Sequence, residues 1–303
     1  MNQKINTVQI WMQKLSLFAL TFLLLNIPAF SQDSTTTTEA PVKAKPVKNT
    51  FESIWIIDNQ TVMVPIKGTF EMDILHRFGI IKNGYSDLAG LFAPSNIRLG
   101  FEYVPINNLM LGFSITKANM TWEGYAKYAI LKQTKGKYPV SVTYFGDVSV
   151  DSRDKDNFIH SSDRLMYFNQ LIIARKITEN FSLQLAPSHT HVNVVDGDYD
   201  SGKLLGSMNH NHFALGVSGR YRIKSAMAVI VNYDQPLTQH RKNNPQPNLS
   251  LGIEFTTSSH AFQIFLGNYN SITPQRNNYF NKNDFSDFQQ YLIGFNITRL
   301  FNF

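Results

Sequence analysis

From Thr69 onward the chain is cut into segments in which apolar side chains occupy every second position, and no helical period competes with that alternation. Ser95–Tyr103 is the clearest case. Ile97, Leu99, Phe101 and Tyr103 share one face, and Asn96, Arg98, Gly100 and Glu102 the other, because successive Cβ atoms of a strand point to opposite sides. Residues 248–255 and 291–297 divide in the same way. Twelve such segments are expected, at 69–78, 95–103, 109–117, 122–133, 139–150, 164–176, 181–192, 210–222, 226–233, 248–256, 261–268 and 288–303.

Alternation alone also describes a soluble sandwich. These strands, however, exceed the five or six residues usual in soluble sheets, and their second face is rich in Gly, Ser, Asn and single charges. An apolar face of that kind meets lipid. Only a closed barrel then satisfies every backbone N–H and C=O, since an open sheet leaves an edge unpaired in hydrocarbon. Connection lengths give an independent sign: those after the second, fourth, sixth, eighth and tenth segments are short, whereas the others are long except at 118–121. The expected fold is therefore all-β: a transmembrane antiparallel up-and-down barrel of about twelve strands, with short periplasmic turns, long extracellular loops and both termini periplasmic. Tyr103, Trp122, Tyr144, Tyr221, Tyr233 and Tyr291, near strand ends, are expected in the interfacial girdles.

The segments before Thr69 fit an outer-membrane address. Residues 1–31 read as a signal peptide, with Lys4 and Lys14, a largely apolar run from Leu15 to Leu25, and the small-residue site Ala29-Phe30-Ser31. Residues 32–50, with four consecutive Thr, two Pro and three Lys, read as a flexible linker. Without the two leader lysines, 26 basic residues face 22 acidic ones, a balance that implies no nucleic-acid partner. The absence of Cys excludes disulfide and thiol chemistry. The expected partners are the lipid bilayer of a Gram-negative outer membrane, a small solute, and the barrel-assembly machinery, which would meet a C-terminal strand ending at Phe303.

Leu75-His76-Arg77-Phe78-Gly79, Leu91 through Gly100, Gly124-Tyr125-Ala126-Lys127-Tyr128 and His260-Ala261-Phe262-Gln263 resemble a family of bacterial membrane-bound β-barrel domains of unassigned function. The resemblance runs from about Phe51 to the C-terminus, implies the barrel and the outer membrane, and carries over no catalytic or binding residue. It includes Phe51–Pro65, part of an N-terminal segment (51–68) ahead of the barrel (69–303). Two placements are open for it: a plug in the lumen, or packing beneath the barrel.

Candidate chemistry is sparse. Glu71, Asp73, Arg77, Arg98, Glu102, Lys127, Arg220 and Glu254 are expected to face the lumen; their mixed signs argue for a salt-bridged interior rather than a selective ring. His189 and His191 end one strand and His210 and His212 begin the next, so a divalent metal between the pairs is one reading and loop-mouth hydrogen bonding the other. Asp196-Gly197-Asp198-Tyr199-Asp200 has alternate acids but lacks the Gly and the terminal acid of a calcium loop. Ser258-Ser259-His260 is a turn with no third group evident, so no catalytic residue is assigned and no enzyme is expected. The leading function is passive passage or binding of a small solute. A non-conducting structural or surface-interaction barrel, using its long loops, is the competing one.

Overall fold

The computed structural model describes residues 45–302. The signal peptide, the linker as far as residue 44 and the terminal Phe303 lie outside the described residues. After a short approach, the chain forms a small hairpin of β1 (Trp55–Ile56) and β2 (Asn59–Gln60). Then come β3 (Thr69–Ile80), β4 (Asn96–Ile106), β5 (Leu109–Thr116), β6 (Thr121–Leu131), β7 (Ser141–Asp151), β8 (Leu165–Lys176) and β9 (Phe181–Val192). A loop hairpin follows, β10 (Gly197–Asp200) with β11 (Lys203–Ser207). The second part of the wall is β12 (Asn211–Lys224), β13 (Met227–Pro236), β14 (Asn248–Thr256), β15 (His260–Gly267) and β16 (Leu292–Asn302), with a short helix α1 (Pro274–Phe280) before the last strand.

Twelve of these strands, β3–β9 and β12–β16, close into one antiparallel barrel in which each pairs with its neighbours in sequence. Closure is the pairing of the last strand with the first, in which Ile297 stands opposite Ile74 and Asn302 opposite Thr69. Each expected segment overlaps one barrel strand, and the boundaries differ by a few residues. Turns of two residues join β4 to β5 and β12 to β13, with Asn108 in the left-handed region at φ 71°. Long connections collect at the opposite end, where Ala118–Met120 is the one short link.

The alternation has a direct structural cause. Leu251, Ile253, Phe255, Phe262, Ile264 and Leu266 lie on the outer surface of two adjacent strands and are exposed, while Ser250, Glu254 and Gln263 between them are buried. A protein surface this apolar needs hydrocarbon against it. Tyr103, Trp122, Tyr144 and Tyr221 sit on that exterior and are exposed. Tyr233 and Tyr291 do not: both are covered, with the Tyr233 hydroxyl on Gln235 and the Tyr291 hydroxyl donating to the Phe285 carbonyl at 2.7 Å. Their parity is that of the outer face, but the extracellular loops fold over that end of the strands.

Ile264, half-way along β15, is 56% exposed between Ile253 and Phe295. Ile264→Arg is expected to destabilise the folded barrel in vesicles by about 2–4 kcal/mol, the cost of a charge at the bilayer midplane. Ser250→Ala, on the inner face, is expected to cost much less; urea titration of both variants measures the difference.

Candidate functional site: the filled lumen

The inside of the barrel is occupied. Residues 51–64 rise from the short-turn end, and Ile54, Trp55, Ile56, Ile57, Asp58, Asn59, Gln60 and Thr61 are each no more than 2% exposed. Of the two placements open for this segment, the structure has the plug. Its apolar side chains merge with inward-facing wall residues, among them Leu75, Met110, Phe145, Phe168 and Phe265, into one core. A wet lumen is therefore replaced by a packed one.

The hairpin is held mainly by wall side chains that reach its backbone and amides. Gln263 accepts from the Ile57 N–H at 3.0 Å and donates to the Trp55 carbonyl at 2.9 Å. Asn296 donates to the Ile57 carbonyl at 2.6 Å, Gln184 to the Gln60 carbonyl at 2.8 Å, and Thr143 to the Val62 carbonyl at 2.9 Å. Asn59 bridges Gln170, Asn232 and Asp234, all at 2.7–2.8 Å. These partners come from β7, β8, β9, β13, β15 and β16, so much of the wall reads the plug. At the hairpin tip Ile57 has φ 56°, a conformation a β-branched residue adopts only under constraint, and its N–H and carbonyl are both clamped by the wall.

All eight charged residues expected in the lumen are buried there. Arg98 sits at the centre. It contacts Asp73 at 2.8 Å and Glu123 at 3.0 Å, and its guanidinium lies over the Trp55 and Tyr125 rings. Asp73 also accepts from the Trp55 indole at 2.8 Å, which couples the plug to this ion pair. Two glycines leave the required space: a Cβ on Gly112 would stand 2.0 Å from the Tyr125 ring, and one on Gly100 2.5 Å from an Asp73 oxygen. Arg77 lies 3.8 Å from Asp58 at the plug tip; Arg220 pairs with Glu254 at 2.6 Å; Lys127 donates to Gln60 at 2.9 Å.

Four acids extend the expected set: Asp58, Glu123, Asp147 and Asp234 are also buried, so eight buried carboxyls face four buried bases among the described residues. The mixed-sign interior is thus an acidic one. Strand parity carried the signal for Glu123 and Asp147, since β6 and β7 alternate as cleanly as their neighbours.

From the long-loop end the β15–β16 connection folds inward and meets the plug. Asn277 of α1 donates to Asp58 at 2.6 Å, and Gln275 donates to Glu123 and Asp147 at 3.0 and 2.8 Å. Thr273-Pro274, a proline at the helix start, is the sequence signal for α1.

The register does not bring the four histidines onto one face. In the β9–β12 register His189 pairs with Phe213 and His191 with Asn211, and cross-strand partners share a face, so His212 belongs to the opposite face. His189 and His191 share the Asn211 side-chain Oδ1 at 2.9 Å outside, and His210 contacts the Val192 backbone carbonyl. Among the described residues no three His, Cys, Asp or Glu side chains are grouped to hold a metal. Asp198 of the acidic loop pairs with Lys242 at 2.7 Å on β10–β11. The His260 ring contacts only the Ser259 and Thr257 hydroxyls and stacks on the outward Phe262, an arrangement that belongs to the turn.

His212 instead stacks on His240, and Tyr279 of α1 packs edge-on against both rings. The tautomers follow from a fixed donor. The Asn209 N–H donates to His240 Nδ1 at 2.8 Å, so His240 carries its proton on Nε2 and donates to His212 Nδ1 at 2.9 Å. Protonating either ring breaks a bond. Burial, then the Lys282 ammonium, holds the His240 imidazole below its ordinary value of 6.5.

The family described as Membrane bound beta barrel domain (DUF5777) matches residues 51–301. No curated protein matches the chain. Among solved structures the chain is similar to the NanC porin (12% identity, TM-score 0.46, covering 76% of this chain and 98% of that one). It is also similar to the KdgM porin (10%, 0.44, 77% and 99%) and to an outer membrane channel from Pseudomonas putida F1 (11%, 0.45, 79% and 97%).

Arg98→Leu leaves Asp73 and Glu123 buried without their cation and is expected to destabilise the barrel by about 3–5 kcal/mol in denaturant titration. A second expectation concerns pH. A base whose folded value is depressed contributes stability above its unfolded value and loses it as pH falls, so the α1 contact should loosen below pH 6.5. Hydrogen exchange at 274–280 should then rise in the wild type, and the acid-dependent rise should shrink in His240→Phe.

Proposed function

Because the chain belongs to the family of membrane-bound beta barrel domains, we propose that it is a non-enzymatic outer-membrane barrel closed at rest by its own N-terminal hairpin. In this reading it passes small solutes, preferentially cationic ones, when the hairpin withdraws toward the short-turn side. The observation that carries the reading is the asymmetry of the lumen. The wall closes through twelve strand pairings that owe nothing to the hairpin, whereas the hairpin shares no strand pairing with the wall and is held by apolar contacts and by side-chain hydrogen bonds, the latter replaceable by water. Removing the hairpin takes away Asp58 and leaves seven buried acids against four bases on the wall. A lumen lined by an excess of one sign concentrates the opposite ion.

A second observation favours the surface-interaction reading. Tyr85, Phe92 and Ile159 stand at least 80% exposed on the long loops, where apolar side chains of that size offer a partner contact.

Planar-bilayer recording separates the two. Intact protein is expected to be silent. A variant lacking residues 51–65, shown by heat-dependent gel mobility to be a folded barrel, is expected to give discrete, cation-selective steps. A folded, plug-free barrel that stays silent removes the passage reading and leaves the surface one.

A further inference from the structure

Beneath the hairpin, at the short-turn mouth, lies a half-open cavity of about 670 Å³, within the range of small-molecule pockets. Phe51, Ile54, Met63 and Val64 form an apolar side; Thr69, Ser259 and Thr298 present hydroxyls. Its charged lining is one-sided. Glu52 and Glu71 line it, His260 is at its edge, and no Lys or Arg of the described residues does, although the chain carries 28 Lys and Arg against 22 Asp and Glu.

Glu71 is the unusual member. It is 2% exposed on β3, its Oε2 is buried without a hydrogen-bond partner, and no basic group lies within ion-pair distance of it among the described residues. The ammonium of Lys127 bonds Gln60 and the Ile54 carbonyl and reaches Glu71 only through its field, without a hydrogen bond. A carboxylate buried without a donor is costly, so the group rests as the neutral acid until a donor-rich cation offsets the cost of its charge. A divalent metal needs several convergent carboxylate or imidazole ligands, and no group of three such side chains is present among the described residues.

We propose that this cavity binds a small organic ammonium, its cationic head on Glu71 and its hydrocarbon part against Phe51, Ile54, Met63 and Val64. The site opens toward the periplasmic mouth and exists with the hairpin in place, so it goes beyond the passage reading and does not require the pore to open.

Calorimetric titration of the detergent-folded protein with 1,4-diaminobutane, with 1,4-butanediol as the uncharged comparison, tests it without a bilayer. The diamine is expected to bind at least tenfold more tightly than the diol, and Glu71→Gln, which keeps the shape and removes the charge, to lose at least tenfold of that affinity. Ala261→Leu, which fills the cavity from β15, is expected to block binding and decides the matter should Glu71→Gln not fold. No binding of the diamine, equal binding of the diol, or undiminished binding by either folded variant overturns the proposal. Such a result leaves the closed-barrel reading standing, because conductance is a separate measurement.

Discussion

The ladder between β16 and β3 is the interaction on which the rest of the molecule depends. Eleven strand pairings would make a wide sheet with two bare edges, and in hydrocarbon each unpaired N–H or C=O on those edges would cost several kcal/mol. The twelfth pairing, from Leu292 opposite Ile80 to Asn302 opposite Thr69, removes both edges at once. It also joins the two ends of the barrel sequence, so the wall is complete only when its last strand is in place. Outer residues can then be wholly apolar, because nothing on that face has to be hydrogen-bonded.

Closure creates a second problem, which the sequence solves from within. A barrel of twelve strands is wider than its own side chains can fill, and polar side chains facing an empty lumen would be left to water. This chain supplies the filling itself. The hairpin brings Ile54, Trp55, Ile56 and Ile57 into a central apolar cluster and offers its carbonyls to inward-facing Gln and Asn side chains. Arg98 links the two parts: its charge is matched by Asp73 and Glu123 on the wall, and its guanidinium plane covers Trp55 of the plug. The buried ion pairs do not by themselves add stability; they fix which strand faces and which plug residues meet.

The wall was legible in the sequence because one rule, period two, governs both its hydrogen bonding and its solvent exposure. Ile97 to Tyr103 shows both faces at once, and connection lengths gave the polarity of the barrel. Legibility failed where tertiary contact replaced lipid or water as the neighbour. Trp55 and Ile57 carry no sign of whether a lumen or a surface receives them. Tyr233 and Tyr291 have outward parity yet are covered by loops, and the helix at Pro274–Phe280 lies in a stretch whose only local mark is its proline. The four histidines show the limit most clearly. The His191 and His210 rings stack with centroids 6.1 Å apart, but a single residue of register puts His212 on the other face. Glu123, Asp147 and Asp234 were within reach of the same parity argument, Asp58 on the plug was not, and with all four the lumen reads as acidic rather than balanced.

Two kinds of interaction therefore divide the molecule. Wall strands meet through backbone ladders in a medium without competing donors, where opening one pair exposes groups that nothing else can satisfy. The plug meets the wall through an apolar cluster and through amide, hydroxyl and charged side chains, and the polar contacts can exchange their partners for water once the lumen admits it. The hairpin tip is also the place where the backbone is least relaxed, with Ile57 in the left-handed region and held by Gln263 and Asn296. A plug fixed for good would gain from a glycine or asparagine at that turn. The residue present instead carries a conformational cost that the clamps from Gln263 and Asn296 hold in place.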